Sequence, residues 1–269
     1  MVLCRAYGWW VAVWLPVAWV DQGASLSLCF EGLLREESGL ELENMRLCKG
    51  ISTMEWWRVV GVLMMSMMGT GLAQETGAIK LPPPEMAGGM PLMQALKARH
   101  STREFGSKPL PPQVLSSLLW AASGVNRPES GQRTAPSAHD WREVDVYVTS
   151  ADGAYRYDPP THTLIKVVAG DIRPLAGVQD FVATAPLNLV YVADLDRMSG
   201  ASAEDKAFYS ATDAGFIAQN VYLFCASSGL AVVVRGLLDR EALGAALGLA
   251  SHQRIILAQS VGYPAGSAK

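Results

Sequence analysis

Hydrophobic positions along the chain change their period several times, and each change marks an element. Leu92, Leu96 and Arg99 follow Pro91 at helical spacing, with the proline placed to open the first turn. Val114, Leu115, Leu118, Leu119 and Ala122 form one face of a second helix, Pro112 to Ser123, which Gly124 ends. Residues 126–140 show no apolar period and predict a polar loop. Val144, Val146 and Val148 alternate with Asp145, Tyr147 and Thr149, the period of a strand. Tyr155–Tyr157 and Thr163–Val168 predict a hairpin around Asp158-Pro159-Pro160, and Leu187–Val192 a short apolar strand. The longest helical pattern, Glu204 to Ser228, carries Ala207, Ala211, Ala214, Gly215 and Ala218, small residues that let another helix approach closely. Leu230–Val234 predicts a strand, Arg240–Leu249 a helix and Arg254–Val261 a strand. This mixture without strict βαβ alternation predicts an α+β fold with a largely antiparallel sheet flanked by helices.

The front of the chain follows a different pattern. Six of the eight tryptophans and three of the four cysteines precede residue 58. Residues 54–73 place Arg58 before the apolar run Val59–Met68, and Gly71-Leu72-Ala73 before Gln74. That order predicts a secretory signal peptide cleaved after Ala73, and hence a periplasmic or secreted protein. The run is short for a bilayer span, which needs roughly 20 residues. A buried core helix or a retained anchor are the other readings of the same segment. A signal belongs at an N-terminus, so residues 1–53 are expected to be upstream translation, with the start at Met45 or Met54. The rival is an anchor formed by the apolar stretch 7–20. Residues 74–89, with Pro82-Pro83-Pro84, predict a linker, and residues 90–269 the functional domain.

Composition narrows the function classes. The 269 residues are 50% hydrophobic and 17% charged, with a formal charge of −3. Disorder would need fewer apolar residues and more net charge. Binding to nucleic acid would need an excess of cations to neutralise phosphates, and none exists. A chain cleaved after Ala73 keeps only Cys225, so it can form no internal disulfide. Cys225, set among apolar helix positions, reads as a buried inert thiol. No paired Cys or His stands at metal-ligand spacing, and no nucleophile elbow, Walker loop or dinucleotide fingerprint occurs.

One segment concentrates polar chemistry. Arg99-His100-Ser101-Thr102-Arg103 gathers two guanidiniums, an imidazole and two hydroxyls where the first helix ends. Such a set suits a dianionic phosphate. The alternative is that Arg99 complements the helix C-terminus while Ser101 caps a turn.

This run, continued through Glu104-Phe105, resembles the phosphate-binding motif of the FMN-dependent nitroreductase family. Three further segments match in order: Ala135-Pro136-Ser137-Ala138 with Trp141; Ser228-Gly229-Leu230 leading to Val234-Arg235-Gly236; and Val261-Gly262-Tyr263-Pro264. The similarity spans Met90 to Pro264 and is nearest to the SagB-type dehydrogenase branch, whose members often carry export signals. The resemblance implies an FMN-dependent oxidoreductase acting on a small organic molecule. It passes two electrons through flavin N5 in ping-pong order, as a homodimer. Arg99, His100, Ser101 and Arg103 would hold the phosphate and ribityl chain. Pro136, Ser137 and Ala138 would line the flavin of the partner subunit. Arg235 and Gly236 would present backbone N–H groups near flavin N5. The chain departs from the family at Asp140, usually Asn, and Arg142, usually Gln. Asp140 then turns away, meets ribityl hydroxyls or is protonated, and Arg142 would restore a donor at the flavin. No side chain is assigned as a catalytic acid or base. NAD(P)H is the donor in cytosolic relatives; an exported enzyme would draw on a quinol, another flavoprotein or a reduced substrate. The contrasting expectation is an exported flavin-binding or interaction protein on the same fold without turnover.

Overall fold

The computed structural model describes residues 2–6, 9–13 and 77–266. Residues 54–73, and most of 1–53, lie outside them. Within the first unit, β1 (Val2–Ala6) pairs antiparallel with β2 (Trp9–Val13), so Trp9–Val13 of the apolar stretch 7–20 is strand. Among the described residues no helix is long and apolar enough to cross a membrane.

The second unit is organised by one sheet of seven strands. In spatial order these are β10 (Ala231–Arg235), β11 (Gln253–Gly262), β9 (Leu187–Asp194), β6 (Val144–Ser150), β7 (Gly153–Asp158), β8 (Thr163–Ala169) and β3 (Ala78–Lys80). Every pair is antiparallel. Helices cover both faces. On one lie α2 (Pro112–Ser123) and α4 (Ala203–Ser227), whose Leu118, Leu119, Ala214, Ile217 and Val221 pack against Val144, Val146, Val148, Leu189 and Tyr191. On the other, Leu243 and Leu247 of α5 (Arg240–Leu247), with Val182 of α3 (Phe181–Thr184), pack against Tyr147, Val190, Val192 and Ile255. Two-sided cover explains why the polar-looking positions of β6 are also buried. Asp145 among them is neutralised by Arg197, which forms a bidentate pair with it at 2.7 and 2.9 Å.

Three expectations need correcting. The segment 74–89 is no free linker from Ala78 onward: β3 is the edge strand beside β8, and Leu81 is buried. The proline run is tied down through its carbonyls, with Pro82 O accepting from Ser116 Oγ and Pro83 O from Gln113 at 2.8 Å. Residues 126–140 are not featureless. β4 (Val125–Arg127) and β5 (Gln132–Arg133) form a small hairpin, and a 3-10 turn covers Ala138–Asp140. Of the small residues on α4, only Ala214 and Ala218 are buried; Ala207, Ala211 and Gly215 face outward.

Two further details position the functional segments. β10 is an edge strand, and the loop after α1 (Leu92–Ala98) lies along its open side: Thr102 N–H donates to Val232 O at 2.9 Å. The Tyr222 hydroxyl of α4 accepts from Val234 N–H at 3.0 Å and bonds Ser101 Oγ at 2.8 Å. Gly262, within Val261-Gly262-Tyr263-Pro264, sits where a Cβ would stand 2.6 Å from the Pro186 ring and 3.3 Å from Phe105. Only a glycine lets the end of β11 pass so near. Phe105 in turn bridges to Pro264, joining the first and last motifs.

Candidate functional site

The arginine loop is built on α1. Arg99 is its C-cap residue and donates its N–H to Ala95 O at 2.8 Å. Its guanidinium lies over the Tyr222 ring, 5.3 Å from the centroid, and pairs with no carboxylate among the described residues. His100 Nδ1 donates to Ala98 O at 2.7 Å, which leaves Nε2 outward. Arg103 is exposed and likewise without a carboxylate partner among the described residues. The Arg99 guanidinium, the Ser101 hydroxyl and the Tyr222 hydroxyl therefore stand together at the edge of β10, with Arg103 exposed on the same loop. Their chemistry fits a phosphate ester, which needs several charge-assisted donors.

Arg235 and Gly236 follow at the end of the same strand. The side chain of Arg235 turns inward, only 6% exposed, and donates to Ala176 O at 2.6 Å, Asn188 Oδ1 at 3.0 Å and Ser260 Oγ at 3.1 Å. Only its backbone and Gly236 remain at the strand end.

The segment Pro136-Ser137-Ala138 lies elsewhere. Ala138 N–H donates to Asp213 Oδ2 at 2.9 Å, and Ser137 Oγ donates to Glu143 Oε2 at 3.1 Å while accepting from Arg142 N–H. Asp213 and Tyr222 are nine positions apart on α4, roughly 13 Å along the axis at 1.5 Å per residue. One protomer therefore does not bring the arginine loop and the proline–serine loop together. A cavity of about 350 Å³ borders the second loop, lined among others by Arg133, Pro136, Asp140, Arg142, Glu143 and Asp213.

The two departures, Asp140 and Arg142, answer each other. Arg142 Nε donates to Asp140 Oδ1 at 2.8 Å and Nη2 to Oδ2 at 2.5 Å. The Arg142 hydrogen bonds hold the Asp140 carboxyl below the usual carboxylate range, so Asp140 is ionised, and the protonated alternative falls. The guanidinium that would restore a flavin donor is engaged with its neighbour. His139, Asp140 and Arg142 all adopt positive φ, between 50° and 55°, a costly conformation for residues with a Cβ. The ring of His139 packs on Trp141 at 4.6 Å, which helps hold the turn.

Sequence reasoning missed the acid pair beneath this loop. Glu143 and Asp213 are both buried, and Glu143 Oε1 has no donor. Burial, then the neighbouring Asp213, push the Glu143 carboxyl above its usual range. A proton retained on Glu143 relieves the repulsion between the two carboxyls. The two residues are 70 positions apart, and neither has a local signature. Because the folded form holds this proton more tightly than the unfolded chain, stability is full below about pH 4.5 and declines as pH rises through the raised value. Glu143→Gln, neutral at every pH, is expected to remove that decline. Melting temperature followed from pH 4 to 8 checks it; parallel curves for variant and wild type would refute the raised Glu143 carboxyl. Cys225 is buried, and burial pushes its thiol well up, as expected of an inert cysteine.

Comparison with known proteins decides the family. The model of the nitroreductase family matches residues 96–263. The chain belongs to the nitroreductase family. A nitroreductase-like protein of Methanocaldococcus jannaschii is 34% identical over 155 residues, covering 54% of this chain and 78% of that protein. The crystal structure of a nitroreductase-like protein from Ralstonia eutropha shares 48% identity, with TM-score 0.68 over 70% of this chain and 90% of that one. The NADPH:FMN oxidoreductase of Vibrio harveyi, complexed with NAD+, shares the fold at 20% identity and TM-score 0.51, over 66% of this chain and 70% of that one. The α+β nitroreductase fold, with its antiparallel sheet between helices, and oxidoreductase chemistry of the FMN-dependent kind follow for this chain.

Proposed function

We propose that the protein is an FMN-dependent oxidoreductase of the SagB-type branch, working as a homodimer on a small organic substrate. The observation that carries the reading is the Arg99 guanidinium, paired with no carboxylate among the described residues, over the Tyr222 ring whose hydroxyl bonds Ser101, with Arg103 exposed on the same loop. FMN, when bound, supplies two-electron redox chemistry. Arg99, His100, Ser101 and Arg103 bind its phosphate end. The backbone at Arg235-Gly236 offers donors toward the ring, and Pro136, Ser137 and Ala138 of the second protomer shape the opposite wall. The separation of the two loops within one protomer supports this division between subunits. So does the exposed apolar surface: Leu92 and Met93 on α1, Phe208 and Phe216 on α4. Electron donor and acceptor use the same cleft in turn, which is ping-pong order. No acid or base is assigned.

Export by residues 54–73, with cleavage after Ala73, belongs to the same proposal. It makes a quinol, another flavoprotein or a reduced substrate the donor in place of NAD(P)H. The test is to purify the protein, titrate it with FMN, and expose the complex to NADPH, NADH and dithionite in turn. Bound flavin reducible by dithionite but not by pyridine nucleotides fits the exported enzyme. Reduction by NADPH or NADH instead retains the enzyme and removes the exported-donor reading. Failure to bind FMN sinks the whole proposal.

A further inference from the structure

Arg235 is a buried cation with no counter-ion. No carboxylate lies within ion-pair distance of it among the described residues, and burial alone lowers its pKa, to about 10, so it stays charged at neutral pH. Its three hydrogen-bond acceptors, Ala176 O, Asn188 Oδ1 and Ser260 Oγ, are neutral dipoles. Its Nε finds no acceptor. The ring of Phe181, 5.9 Å from the guanidinium carbon, closes one side and excludes water. Across from it, a Cβ built on Gly177 would stand 2.0 Å from Arg235 Nη1 and 3.0 Å from Gln179 Oε1. That Gln179 oxygen is itself buried and without a donor. Taking that charge out of water is costly, and neutral acceptors repay only part of the cost. The charge therefore calls for a purpose beyond packing.

We infer that the Arg235 side chain is a fixed positive charge buried beneath the end of β10, favouring the reduced, more negative flavin over the oxidised form through the protein interior. The inference rests on the flavin reading above, which places the end of β10 beside the ring. Arg235 acts through the field and through the strand that carries it, and touches no reacting atom. A charge held in a water-excluded pocket loses little to screening, because neither solvent nor salt reaches it. Its effect scales accordingly. A tenfold shift is what two unit charges give at roughly a dozen ångström in a medium of effective dielectric about 20, so the size of the shift reads the separation.

The full-length protein loaded with FMN provides the test, through the midpoint potential of the bound cofactor and its dissociation constant. Arg235→Gln removes the charge and is expected to disfavour reduction about tenfold, which for a two-electron couple is about 30 mV toward lower potential. Arg235→Lys keeps the charge and is expected to keep the potential. Gln179→Glu leaves Arg235 in place but sets a carboxylate across from it, and is expected to lower the potential as Arg235→Gln does. That variant decides the matter if Arg235→Gln does not fold. Neutralising variants that bind FMN with unmoved potential overturn the inference, as does a lysine variant that falls as far as the glutamine one. A wild-type protein that binds no FMN removes the flavin reading itself, and this inference with it.

Discussion

Replacing Arg99 with alanine is expected to weaken FMN binding about ten- to a hundredfold while leaving riboflavin binding unchanged. The difference follows from where the guanidinium stands. It lies over the Tyr222 ring at the end of α1, free of any carboxylate among the described residues. A charge-assisted hydrogen bond to an anion contributes about 1.5–3 kcal/mol. Riboflavin lacks the phosphate, so it has nothing for that group to hold. Arg99→Lys keeps the charge but loses the planar fork, and is expected to fall between the two. Titration of each variant with both ligands, read by flavin fluorescence, checks the result. Equal losses for FMN and riboflavin would mean that Arg99 merely packs against Tyr222, and the phosphate assignment would fail.

Asp213→Ala is expected to destabilise the domain by about 1–3 kcal/mol, the range for a buried polar group left without its partner. Asp213 Oδ2 is the acceptor for Ala138 N–H, and its carboxyl raises that of the neighbouring Glu143. Alanine removes the acceptor, and relief of the repulsion with Glu143 offsets part of the loss. Asparagine retains an acceptor and abolishes the repulsion, so Asp213→Asn is expected to stay within about 1 kcal/mol of wild type. Urea unfolding of the three proteins separates these outcomes. The order alanine, asparagine, wild type in rising stability, or asparagine on top, fits; an asparagine variant as weak as alanine would show that the carboxylate charge itself is needed. Since the proline–serine loop hangs on this contact, the alanine variant is also expected to lose affinity for FMN.

Much of this architecture is legible in the chain. α2 begins and ends where its apolar face and flanking Pro and Gly place it, and the hairpin around Asp158-Pro159-Pro160 forms as its alternation requires. What escaped depends on contacts distant in sequence. The strands of the 125–133 hairpin span three and two residues, too few to show a period. The proline run looks extended and is, but its anchors are side chains of α2 about 30 positions on. In β6 the alternation revealed a strand, yet not that both faces are covered, because the partner of Asp145 is Arg197, 52 residues away. At the site, the residues of the arginine loop were legible from their density of donors. The inward turn of Arg235 was not: a lone arginine after three valines looks like a strand end meeting solvent. Nor could the pairing of Asp140 with Arg142 be read directly, since both residues themselves adopt a positive φ that nothing in the local sequence announces.

The loop lying along β10 has a bearing on solubility. Val232 O and Val234 N–H are satisfied by Thr102 and by Tyr222, so the margin of the sheet offers no free ladder there to a strand from another molecule. The same five residues that present cations to an anion thus also act as a seal against edge-to-edge stacking. Any change that frees this loop would uncover a template rich in valine, and such a variant is the one to watch for aggregates on storage.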